Sequence, residues 1–96
     1  MGAHLAMAEL GWANLRSAHL EEADLRETHL GGAVLTAAHL EGADLGSANL
    51  EGAVLTSAHL ERANLREASL KVAKLKGAHL DGALNLTEEQ IESADT

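Results

Sequence analysis

The chain has 96 residues, 7 Lys and Arg against 15 Asp and Glu, a formal net charge of −8, and no Cys or Pro. That length makes one domain, and the negative charge argues against direct nucleic-acid binding, which needs Lys and Arg against phosphate. Without Cys there is no disulfide framework and no thiol catalysis.

No apolar run approaches the roughly 20 residues of a membrane span. No secretory leader is visible, so a cytoplasmic chain with no membrane association is expected. The informative feature is a beat. Leu recurs every fifth residue from Leu5 to Leu80, and Ala stands two residues before each Leu except where Thr28 does. On a helix a step of five turns about 140°, at about 100° per residue, so the leucines would scatter around the cylinder. A coiled coil needs a seven-residue repeat, which is absent. In an extended segment Ala and the following Leu share one side. Because five is odd, a continuous strand would flip the next pair outward, so the chain must turn within every repeat. Glu41-Gly42, Glu51-Gly52 and Asp81-Gly82 supply turn chemistry. Glu22, Glu27, Arg62 and Glu67 fall at the same phase as those glycines and must adopt turns that L-residues tolerate.

Ala23-Asp24-Leu25, Ala43-Asp44-Leu45, Ala48-Asn49-Leu50 and Ala63-Asn64-Leu65 match the pattern A(D/N)LXX, and the chain resembles the pentapeptide-repeat family from Ala3 to Gly82. The resemblance implies an all-β fold, a right-handed quadrilateral (square) parallel β-helix with four repeats per coil. This chain would then have about four coils, stacked at a strand spacing of about 4.8 Å. Stacking of neighbours lets a narrow Leu/Ala core suffice. The β-helix is expected over residues 3–84 and a C-terminal cap over 85–96. Members of the family do unrelated things, so the resemblance implies little about activity.

In chain order, the first coil begins at once, with no polar cap sequence before it. Ala6, Met7 and Trp12 lie there at outward phases, and Trp12 is the only aromatic residue. They form either a small apolar patch or a docking surface, with Met7 and Trp12 the candidate partner-binding residues and an end-to-end homodimer through this coil the candidate assembly. The middle coils unroll onto four faces. One is mixed and mildly acidic, with Asp24, Arg26, Asp44 and Arg66. A second is nearly neutral, and a third is basic with stacked Val34 and Val54. The fourth carries His19, His39, His59 and His79 in one column, with Glu21, Glu41, Glu61 and Asp81 two residues on. After Leu80 the beat fails at Asn85. Thr87 and Gln90 then have capping-box spacing, and Leu86 and Ile91 have hydrophobic-staple spacing. A short capping helix is expected over 88–94, laying Ile91 and Leu84 over the last coil.

The histidine column suggests metal binding. Imidazoles about 4.8 Å apart, each beside a carboxylate, suit Zn²⁺, Ni²⁺ or Cu²⁺. The plainer reading is duplication of a twenty-residue unit, since VLTAAHLEGADL recurs as VLTSAHLERANL. The acidic residues Glu21, Asp24, Glu41, Asp44, Glu61 and Asp81 suggest a DNA mimic that binds DNA gyrase or a related type II topoisomerase, as some members of the family do. The plainer reading is a solvated face. No phosphate loop, nucleophile elbow or HExxH motif is present, so no enzyme and no cofactor are expected. The sequence therefore points first to a rigid protein-interaction scaffold, or the repeat domain of a larger protein, with no partner named.

Overall fold

The computed structural model describes residues 2–96. Parallel β-bridges join residues twenty apart, from His4↔Asp24 to Asn64↔Leu84, so the chain returns over itself once every four repeats. One repeat shows how the rungs lock. His29 N–H donates to Ala8 O at 2.9 Å, Leu30 N–H to Asn49 O at 2.8 Å, and Gly32 N–H to Glu51 O at 3.0 Å. Ala33 N–H then donates back to Leu30 O at 3.0 Å and closes the turn.

All sixteen turns place their second central residue at positive φ, and eleven of these residues are not glycine. Glu22, Glu27, Arg62 and Glu67 tolerate their turns by entering the small left-handed region, at φ 57–60°. Even the β-branched Val72 does so, at φ 49°. A left-handed L-residue costs about 1–2 kcal/mol. The turn places that residue's N–H where the next rung accepts it, as Met7 N–H does to Arg26 O at 2.8 Å and Glu27 N–H to Gly46 O at 2.9 Å. For ten of these eleven residues the bond to the next rung or the cap offsets the local strain; the Glu67 N–H has no such backbone partner among the described residues.

The Ala/Leu pairs of all repeats point inward. Leu25 through Leu65 are essentially inaccessible, at 0–1% exposure. Leu5, Leu10, Leu15 and Leu20, at the same phase in the first coil, remain half-buried. Thr28 replaces Ala in the core and stays satisfied because its hydroxyl donates to Leu25 O at 2.8 Å.

Helix α1 spans Glu88–Ser93, one residue shorter than expected because Ala94 is extended. Its capping box forms as the spacing predicts: Gln90 N–H donates to Thr87 Oγ1, and Thr87 N–H donates to Gln90 Oε1 at 2.7 Å. Leu86, Ile91 and Ala94 pack on the core. Leu84 does not cover the last coil. It is 52% exposed, because the beat persists to that position and turns it outward in a bridge with Asn64. Beyond α1 the chain supplies another rung: Asp95 N–H donates to Ala73 O at 2.7 Å, and Leu75 N–H donates to Asp95 O at 3.0 Å.

Candidate functional site

The twenty-residue return brings His19, His39, His59 and His79 into one stack. Successive ring centroids lie 4.8, 4.8 and 4.7 Å apart, with interplanar angles of 3°, 1° and 5°. The repeat fixes this order, since each histidine pairs in a parallel bridge with the next. In three rungs the imidazole Nδ1 faces the carboxylate two residues on: His19–Glu21 at 3.2 Å, His39–Glu41 at 3.4 Å and His59–Glu61 at 3.6 Å. The inner pairs are sheltered by their neighbours. The His39 and His59 side chains are each 32% exposed, whereas that of His19 is 76% exposed.

Two sets of potential ligands result. Glu21, His39 and Glu41 form one, and Glu41, His59 and Glu61 form the other, with the donor atoms of each set within 4.8 Å of one another. The structure thus groups His39 and His59 with carboxylates and leaves His19, His79 and Asp81 outside both sets. Glu21 and Glu61 hold their protons less tightly than an ordinary glutamate. The leading cause is each residue's own backbone amide, and the adjacent His19 or His59 adds to it.

Two of the remaining acidic candidates sit on another wall, where Asp24 is paired with an arginine and Asp44 is hydrogen-bonded by neutral donors. Arg26 grips Asp24 with two side-chain bonds of 2.7 Å, which lowers the Asp24 pKa to about 2. Asp44 accepts from Gly46 N–H and from the Asn64 side-chain amide, both at 3.0 Å. The sequence reading missed this role of the Asp/Asn phase. Asn14, Asp24, Asp44, Asn49 and Asn64 each accept the amide two residues on, at 2.9–3.3 Å. Asx-turn chemistry explains why Asp and Asn suit the position before each Leu, and the A(D/N)LXX pattern itself was the available signal.

Met7 and Trp12 are exposed, at 66% and 84%. They stand in different columns, so the structure does not unite them in one patch. Trp12, Gly32, Gly52 and Val72 instead follow one another at the same corner of successive rungs, around a shallow groove of about 360 Å³. No helix of the described residues is long and apolar enough to cross a membrane.

Known proteins agree with this architecture. The family model described as "Pentapeptide repeats (8 copies)" matches residues 2–32, 13–52, 33–71 and 48–84. A pentapeptide repeat protein from the cyanobacterium Cyanothece 51142 is 34% identical, with a TM-score of 0.68 over 92% of this chain, which spans 63% of that protein's chain. A pentapeptide repeat protein of the Arabidopsis thaliana thylakoid lumen is 26% identical, with a TM-score of 0.79 over 94% of this chain and 72% of its own. No curated protein matches the sequence. These relatives imply a right-handed β-helical solenoid, and none of their names denotes an enzyme. The chain belongs to the pentapeptide repeat family.

Proposed function

We propose that this chain is a non-enzymatic, rigid interaction scaffold: a square solenoid of about four coils, covered at its C-terminal end by α1 and offering its N-terminal coil to a second copy. The unpaired backbone donors of the first coil, within the described residues, carry this reading. At the C-terminal end, Leu86, Ile91 and Ala94 lie on the core, and Ser93 and Asp95 accept bonds from the last rung. In the first coil the four leucines are half-buried, and the amides of His4, Glu9, Asn14 and His19 have no backbone partner among the described residues. Their counterparts one rung on, Asp24, His29, Val34 and His39, all donate to the first coil. An open β-edge beside apolar core is a template for another β-coil. Met7 and Trp12 belong to that coil and are exposed. The compartment in this reading is the cytoplasm, although one structural relative is lumenal.

Light scattering behind a sizing column tests it. The expected mass is twice the 10.0 kDa of the chain, falling to the single-chain value for the Met7→Glu, Trp12→Glu variant. A single-chain mass for the unmodified protein at every concentration would remove the homodimer.

DNA mimicry toward a type II topoisomerase is the weaker reading. One chain extends at most 31 Å, short of a DNA turn of about 34 Å, so mimicry would need the dimer, and Asp24 is already held by Arg26. Supercoiling assays with DNA gyrase decide it, since a mimic must inhibit at saturating protein.

A further inference from the structure

The geometry points to the inner rungs of the histidine wall as a binding site for divalent zinc-like cations, two adjacent places that share Glu41. Three observations converge on it. First, the ligand types are right. Each set offers one imidazole nitrogen and two carboxylates, a donor mixture that suits Zn²⁺ and its first-row neighbours, with a fourth position left for water. Second, the spacing is right. Metal–ligand bonds of about 2.0–2.2 Å put neighbouring donors of a tetrahedral site about 3.3–3.5 Å apart. His39 Nδ1 to Glu41 Oε2 is 3.4 Å, and His59 Nδ1 to Glu61 Oε2 is 3.6 Å. The carboxylate of the preceding rung lies within 4.8 Å and must close by about 1 Å, a side-chain movement that leaves the backbone ladder in place.

The third observation is independent of the first two. Among the described residues, the buried side-chain atoms with no hydrogen-bond partner are Glu41 Oε1 and Glu61 Oε1. They belong to the carboxylates that complete the two sets, and in each the other oxygen, Oε2, faces the imidazole. A buried carboxylate oxygen without a donor is unfavourable, and a bound cation relieves it. The stack also aligns the ligands beforehand, since successive rings lie parallel within 1–5°. Exposed His19 and His79 belong to neither set, so the site resides in the middle of the wall and is not a general property of a histidine-rich surface.

The test is calorimetric titration of the full, tag-free chain with ZnCl₂, together with long-range ¹H–¹⁵N spectra of the imidazoles. Saturable binding of up to two ions per chain is expected. Glu41→Gln should weaken both places at least tenfold, Glu61→Gln should leave one, and His19→Gln or His79→Gln should change affinity less than twofold. In the unmodified protein, zinc should shift the Nδ1 resonances of His39 and His59, a readout independent of how any variant folds. Absence of saturable heat would overturn the inference. So would equal losses in the His19 and Glu41 variants, or ligation through Nε2, because the ions would then sit on the outer edge of the imidazole column.

Discussion

The Trp12 indole lies against the backbone of Gly32 one rung on, where an added Cβ would stand 2.5 Å from ring atoms Cε3 and Cζ3. The exposed aromatic is therefore laid on the wall, and the missing side chain at residue 32 makes the seat. Gly32→Ala is expected to displace the indole and to destabilise the fold by about 1–2 kcal/mol, since φ there is +68°. Gly52→Ala has the same backbone cost at φ +71° but meets nothing closer than 4.0 Å. Tryptophan fluorescence separates the two. Emission should shift in the Gly32 variant and stay unchanged in the Gly52 variant, while urea titration shows similar backbone losses.

The core should be strongest in its middle. Leu50 is fully buried among rungs on both sides, whereas Leu5 is half-buried. Leu50→Ala is expected to cost about 3–5 kcal/mol through lost transfer energy and an unfilled cavity. Leu5→Ala should cost less than half as much. Urea unfolding curves check the ratio, and equal losses would mean that the first coil is packed as tightly as the centre.

Gln90 ties α1 to the solenoid as well as to its own cap. Its Nε2 donates to Leu65 O at 2.6 Å and Ala68 O at 3.0 Å, while its Oε1 accepts from Thr87 N–H. Gln90→Ala should cost about 1–2 kcal/mol. Gln90→Glu keeps the acceptor for Thr87 and loses both donors. Amide exchange at Val72, which donates to Ser93 O, should accelerate in both variants.

The Asp24–Arg26 pair sets an acid limit. Arg26 lowers the Asp24 pKa to about 2, below the unfolded value of about 3.9. A depressed folded pKa stabilises the fold above the unfolded value, and that contribution is lost as pH falls through about 2. The pair is exposed, so salt should weaken it. Carboxyl NMR titration should place Asp24 near pH 2, and Arg26→Gln should return it toward the ordinary aspartate range.

The five-residue beat made the solenoid legible because Ala and Leu cannot share one buried side unless every repeat turns. The same phase put the four histidines in one column, and Thr87 with Gln90 gave the capping box in advance. Two features escaped because they depend on stacking. The bulky left-handed residues look unfavourable singly, and only the inter-rung bond, such as Met7 N–H to Arg26 O, offsets their strain. The shelter of His39 and His59 relative to His19 likewise comes from neighbours twenty residues away. Leu84 looked like a lid because it is apolar and follows the last Leu of the beat, yet its phase turns it outward.

Hydrogen exchange at the amides of His4, Glu9, Asn14 and His19 tests the scaffold reading most directly. These donors have no backbone partner within the described chain. If a second copy docks on the N-terminal coil, they should become protected as protein concentration rises, while Asp24, His29, Val34 and His39 stay protected throughout. Rapid exchange at all four positions, at every concentration and beside a fully protected second rung, would contradict docking at that end.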